Sequence, residues 1–427
     1  MLMKYAKALM PPPHTRRSER GAGTLTLTVI LLFITMVSVF YTNRNVIFEQ
    51  RTSANVARQA SAQEVAEAGL EWAIGMLNHP SNIDANCNDV ATAGTNFRKL
   101  YLKPVKTSFT PVTNIFPGCR RNGNAWTCSC PTAAGTASLG STVESSFTVT
   151  FAPLAGYANV VQITSTGCTP QSAACTPASA SGADANATVT ALVKPSPLTP
   201  GNPAAAITCG TSCNFSGSFN AVNTDVATNG VLVNSGTTSN TPPGTTTLPG
   251  QPVQNAIIAG DTSLSSLAGS DTSCNQSKMF NAYFGTTLQE YQNAPGTRTI
   301  DCNIASCPTE IVNAYNSGWR AFYLPNGFSY NNSAGTDLGT PTDPVTLVSA
   351  GSVKINGNIN IYGLLFSNDA VDNALGTGAS NIAGALVTCA AFKTNGNGTV
   401  TYSPDVLNSM NTASGTIVKL LGSWRDW

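Results

Sequence analysis

The stretch "RRSERGAGTLTLTVILLFITMVSVFYTNR" (Arg16–Arg44) decides how the rest of the chain is read. Behind a leader with Lys4, Lys7, Arg16, Arg17 and Arg20 against one acid, Glu19, lies an uncharged run from Ala22 to Thr42. A secretory signal needs an apolar stretch of about 7–15 residues closed by a small-x-small cleavage site. This run is longer and ends in "VFYTNRN", which offers no such site. Read as a helix it spans about 30 Å of hydrocarbon. Its Thr and Ser hydroxyls can bond back to helix carbonyls, which makes them tolerable in lipid. The basic leader orients the segment with its N-terminus cytoplasmic and the remainder outside.

Helical character continues past the apolar run. No proline occurs from Asn43 to Asn78, and the only glycines there are Gly69 and Gly75. "ANVARQASAQEVAEAGLEWAIGML" is built of strong helix formers. Val65, Ala68, Trp72 and Met76 recur at helical spacing, Leu70, Ile74 and Leu77 form a second stripe, and Glu64, Glu67 and Glu71 a third, acidic one. One helix from Ala22 to Asn78 would be about 57 residues, on the order of 85 Å; Asn43–Asn45 is the one place where a break is plausible.

A basic leader ending in Arg20-Gly21, an apolar helix directly after the glycine and a polar helical extension resemble a type IV prepilin. "RNVIFEQRTSANVARQASAQEVAEAGLEWA" (Arg44–Ala73), with Ala66-Glu67-Ala68-Gly69-Leu70, is similar to the corresponding segment of PilX-type minor pilins, and Tyr402–Trp427 resembles the end of long members of that group. The resemblance implies cleavage by prepilin peptidase between Gly21 and Ala22. It also implies a single-pass inner-membrane precursor and later entry into a pilus that crosses the periplasm to the exterior. Thr26, Leu31, Phe33, Val37 and Phe40 would then face lipid first and other helices afterwards. The expected partners are major and minor pilins, the peptidase, inner-membrane lipid and a tip adhesin. Most prepilins carry Glu at the fifth mature position; here Thr26 stands there. Its absence removes a docking contact and points to a low-copy, initiating or tip subunit. The alternatives are a K-type minor pseudopilin of type II secretion and a membrane-anchored surface hydrolase or adhesin.

The expected fold is α+β. The long helix (22–78, after a leader at 1–21) carries a pilin-like antiparallel sheet at 79–194, with strand-like alternation at 147–151, 160–164 and 187–193. A Pro-rich linker follows at 195–203, then a mostly-β C-terminal domain at 204–427, a β-solenoid or sandwich. In that domain Val353, Ile355, Ile359 and Ile361 alternate with polar residues, with Gly357 and Gly363 as breaks. Short helices are expected at Thr309–Ser317 and around Phe280–Asn293.

Only 10% of residues are charged and the formal net charge is +1, so too few cations are present to neutralise a nucleic-acid backbone. Twelve cysteines suit an oxidising compartment. Cys168–Cys175, Cys209–Cys213 and Cys302–Cys307 could each close a short loop, whereas Cys87, Cys119, Cys128, Cys130, Cys274 and Cys389 cannot be paired from sequence. After processing only His79 remains of two histidines, which removes His-based triads and His-rich zinc sites. No nucleophile elbow, phosphate-cradling loop or dinucleotide fingerprint is present. Asp261, Asp271, Glu290, Asp301, Glu310 and Asp343 are the carboxylates available for glycosidase-type chemistry, and no spacing singles out a pair. Ser367–Asn373 and Asp184–Asn186 cluster oxygen ligands but lack a full calcium loop and read as turns. No catalytic residue, metal or cofactor is expected.

Overall fold

The computed structural model describes residues 20–91, 94–133, 135–136, 139, 144–170, 175–270, 273–274, 276–302, 307–332, 337–369, 371 and 379–426. Contacts group the chain into two units, Met1–Arg58 and Gln59–Trp427. The helix α1 (Arg20–Asn78) contributes to both and has no break at Asn43–Asn45.

In the first unit every described side chain from Gly21 onward is exposed. In the second, the buried face of α1 is Ala62, Ala66, Leu70, Ala73 and Leu77, at spacings of four, four, three and four. Only Leu70 and Leu77 of the sequence stripes belong to it; Ala68 is exposed, and Val65, Trp72, Ile74 and Met76 are only half-buried. The alanines are there because a sheet lies close against them. A Cβ on Gly69 would meet the Phe147 ring and Ser165, and one on Gly167 would run into the Ala62 carbonyl and the Ala66 backbone. Small residues on both surfaces allow that approach.

That sheet is antiparallel. Its strands are β1 (Gly118–Asn122), β2 (Ala125–Ser129), β3 (Ser146–Leu154), β4 (Tyr157–Cys168) and β5 (Asn186–Ser196), with the long β3–β4 and β4–β5 registers at its centre. The β1–β2 hairpin turns at Gly123, φ +61°, and is stapled by Cys119–Cys128. Phe147, Val149, Phe151, Ile163 and Val189 alternate onto the α1 side, where Phe97 and Tyr101 of the short helix α2 (Phe97–Tyr101) close the core.

From Ile207 to Tyr402 the strand pairing is parallel apart from a two-residue antiparallel pair, Gly269–Ser270 with Ser273–Cys274. The strands are β6 (Ile207–Cys209), β7 (Cys213–Phe215), β8 (Asn220–Val222), β9 (Val233–Ser235), β10 (Gly244–Thr246) and β11 (Ile257–Ala259). Next come the helices α3 (Thr262–Ala268), α4 (Gln276–Phe284) and α5 (Leu288–Asn293), then β12 (Thr297–Thr299) and α6 (Cys307–Asn316). The remaining parallel strands are β13 (Ala321–Leu324), β14 (Phe328–Asn332), β15 (Val345–Ser349), β16 (Val353–Gly357), β17 (Asn360–Ser367), β18 (Asn381–Thr388), β19 (Phe392–Thr394) and β20 (Thr399–Tyr402). Hydrogen bonding runs in the order β12, β13, β15, β17, β18, β6, β9, β11. The chain thus enters mid-stack at β6, proceeds to the β11 end, returns through α3–α5 to the opposite end at β12, and advances until β18 lies beside β6.

Gly363 lies inside β17, where the sequence reading put a break. It pairs with Gly384 of β18, and the two have φ +142° and +141°. Beyond this glycine pair, residues 386–388 of β18 pair with β6, whereas residues 381–384 pair with β20. Each glycine is therefore the corner at which a long strand passes from one face of the stack to the next. A Cβ at Gly384 would strike the Gly363 carbonyl, and one at Gly363 the Val345 carbonyl.

The stretch 195–203 is held rather than free. Pro195 and Ser196 belong to β5, the Leu198 amide donates to Asn411 Oδ1 (3.0 Å), and Tyr402 donates its hydroxyl to the Pro203 carbonyl (2.8 Å). The helix α7 (Pro404–Ser414), capped by Ser403, leads into β21 (Thr416–Lys419), which returns to the antiparallel sheet as the neighbour of β5. Cys168–Cys175, Cys209–Cys213 and Cys302–Cys307 are joined, as are Cys87–Cys130 and Cys119–Cys128, and Cys389 is also disulfide-bonded.

Candidate functional site: an exposed helix and a charged junction

Gly21 and Ala22 lie in the first turn of the described α1, while residues 1–19 fall outside the described residues. Leu31, Phe33, Val37 and Phe40 are exposed, Phe33 at 66% and Phe40 at 70%. The helix hydroxyls are satisfied locally: Thr26 donates to the Ala22 carbonyl (2.8 Å), Thr28 to Leu25 (2.8 Å), Thr35 to Leu32 (2.9 Å) and Thr42 to Ser38 (2.8 Å). What this segment presents outward is therefore almost wholly apolar. α1 is the one helix among the described residues long and apolar enough to cross a membrane, which suits an N-terminal anchor or signal segment.

The carboxylates named from sequence are mostly engaged in structure. Asp261 accepts from the Ser263 hydroxyl and amide and the Leu264 amide at the start of α3; the Ser263 hydroxyl above all holds it below the usual carboxylate value. Glu290 closes a capping box with Thr287 on α5, and the Thr287 amide bond lowers its pKa. Asp301 and Glu310 line one cleft, and Asp271 lies outside the described residues. Asp184 lies in the bend leading into β5 and Asn186 is the first residue of that strand, and Ser367–Asn373 is only partly described. Among the described residues no three His, Cys, Asp or Glu side chains are grouped to hold a metal ion.

Asp343 sits at a junction that the sequence does not announce. Arg320 grips it with two donors, Nε to Oδ1 at 2.8 Å and Nη2 to Oδ2 at 2.6 Å, and Lys99 of α2 reaches Oδ2 at 2.5 Å. Burial pushes the Asp343 carboxyl up, but the two cations outweigh burial and hold it below its ordinary value. Lys99 is lowered instead, by burial first and Arg320 repulsion second, so Arg320 is the principal partner of the carboxylate. Beside this cluster Arg98 is buried with neutral acceptors. It donates to the carbonyls of Leu77 (2.9 Å), Thr412 (3.3 Å) and Ala413 (3.0 Å). Those carbonyls close the last turns of α1 and α7, where helix dipoles favour a cation. Burial alone lowers Arg98 to about 10, which leaves it charged at neutral pH.

No family model matches the chain, and no curated protein matches it by sequence. Among solved structures it is similar to the competence-associated pilin ComZ from Thermus thermophilus, at 12% identity and a TM-score of 0.22, over 87% of this chain and 97% of that one. The fold described above stands on its own pairings, independently of that match.

Proposed function

We propose that the chain is a minor pilin of a type IV pilus, cleaved by prepilin peptidase between Gly21 and Ala22 and incorporated at or near the filament tip. The observation that carries this reading is the division of labour along α1. Residues from Gln59 pack beneath an antiparallel sheet, while residues before Arg58 expose Leu31, Phe33 and Phe40 and satisfy their own hydroxyls. Such a surface is stable only in lipid or against other apolar helices. In this reading the inner membrane holds it before assembly, with the N-terminus cytoplasmic, and major and minor pilins pack on it afterwards. Thr26 carries no charge for a neighbour's N-terminal amine, and its hydroxyl is committed to Ala22, which fits a tip or initiating position better than a repeating one.

We further infer that the parallel stack is a β-solenoid presented outward as a surface-binding head, beside a tip adhesin, with no catalytic role. Terminal sequencing of the mature protein tests the central claim. It is expected to begin at Ala22, and deletion of the gene is expected to deplete surface pili. A mature protein that keeps Lys4–Gly21, or normal piliation in the deletion strain, would overturn it.

A further inference from the structure

A cleft of about 660 Å³ lies between α6, the end of β12 and the segment Ser81–Ala91. That volume is in the range of small-ligand sites, about 300–1,000 Å³. One wall is a stripe of α6 and the residues after it: Glu310, Asn313 and Ser317 follow one another at spacings of three and four. Arg298 and Asp301 also line the cleft, as does Asp89 on a short strand paired with Asn82–Ile83. Trp319 is half-buried at the edge, with the Arg298 guanidinium 5.6 Å from its ring centroid.

We propose that this cleft binds a saccharide carrying free amino groups, of the glucosamine type. Three features select that class. A half-buried indole at the cleft edge, with the Arg298 guanidinium over its ring, supplies aromatic surface against which a pyranose can pack. Carboxylate and amide groups on two walls match hydroxyls and ammonium groups, which need acceptors at several angles. Carboxylates outnumber basic groups at the cleft, with Asp89, Asp301 and Glu310 beside Arg298 and the His79 that meets Asp89, which favours a cationic ligand over a neutral or anionic one.

The polar groups are also held in place before any ligand arrives. Asn326 donates to Asp301 Oδ1 at 2.8 Å, and His79 meets Asp89 Oδ1 at 2.6 Å. The Cys302–Cys307 disulfide ties the strand end bearing Asp301 to the helix bearing Glu310. The wall facing α6 is fixed as well: the Asn82 amide donates to the Ser317 carbonyl (2.7 Å), and the Ser317 hydroxyl donates to the Ala91 carbonyl (3.0 Å). Groups fixed in this way lose little freedom on binding.

The proposal deepens the outward-facing head reading and rests on it only for its biological setting; binding to the purified chain tests the cleft by itself. Titration calorimetry of the full chain in detergent micelles, with a glucosamine trimer and its fully N-acetylated counterpart, is the direct measurement. Saturable binding of the amine form is expected, at least tenfold tighter than the acetylated form. Glu310→Gln, at a half-buried position on α6, is expected to weaken it about tenfold, Trp319→Ala more than tenfold, and Trp319→Phe to retain most of it. Equal binding of both trimers would overturn the amine requirement. Binding of neither, or binding unchanged in Glu310→Gln, would overturn the site, whatever the protein's place in a filament.

Discussion

At the residue scale, three cations, Arg98, Lys99 and Arg320, gather where α2 meets the parallel stack, and their partners differ in kind. Asp343 is the counter-ion of Arg320 and Lys99, whereas Arg98 relies on helix carbonyls. Removing one member of a buried pair leaves the other charge uncompensated, at a cost of about 3–5 kcal/mol. Asp343→Asn is therefore expected to lower unfolding free energy by about 3 kcal/mol at neutral pH, near the low end because the carboxylate keeps some solvent contact. Denaturant melts check it. The pH dependence follows from the direction of the Asp343 shift. A carboxyl held below its ordinary value of 3.8 contributes stability above that value and loses it as pH falls through the folded value. The gap between wild type and Asp343→Asn should thus be full at neutral pH and shrink below about pH 4. A gap unchanged on acidification would mean that the carboxylate is not the source. Arg98→Met is expected to cost a similar amount, because it breaks three buried hydrogen bonds to carbonyls.

At the scale of elements, α1 shows both what its residues announced and what they concealed. The apolar run, the helix through Asn78 and the α6 helix at Cys307–Asn316 follow from propensity and periodicity, which act locally. The buried face of α1 was hidden because Ala62, Ala66 and Ala73 carry little hydrophobicity of their own. They matter for what they leave room for, and that depends on Gly167 across the interface. Gly167→Val is accordingly expected to cost about 2–4 kcal/mol through overpacking, whereas Gly75→Ala, with nothing within 4 Å of its Cβ, should leave stability level or raise it. Thermal unfolding of both variants decides the matter. Alternation likewise marked the strands but not their partners, since parallel and antiparallel pairs share a period of two. The cleft was concealed for the same reason: Asp89 stands far from Asp301 and Glu310 in sequence, and hydrogen bonds such as that from Asn82 to Ser317 bring them together.

At the scale of the whole chain from Gln59, the order of strands makes a claim about cooperativity. Residues 207–402 build the parallel stack, yet both of its covalent ends enter the antiparallel sheet, through β5 and through β21. Asn78, the last residue of α1, is bonded to both the amide (2.7 Å) and the carbonyl (2.9 Å) of Ile417 in β21. The stack is closed by a pairing between β6 and β18, which brings Ile207 beside Leu386. Such non-local contacts give no return until long loops have closed, so the chain should fold slowly and all at once. Separating stack from sheet would also leave Lys99 without Asp343, a part-buried ammonium stripped of its carboxylate. Variants retaining only Trp72, beside the sheet, or only Trp319, beside the stack, should therefore report one coincident denaturation midpoint under oxidising conditions. Two separated midpoints would show that the halves fold independently. Truncation after Gly415, which removes β21, should lower both midpoints together, because it takes from β5 its neighbours β21 and Arg425 and from Asn78 the amide and carbonyl of Ile417.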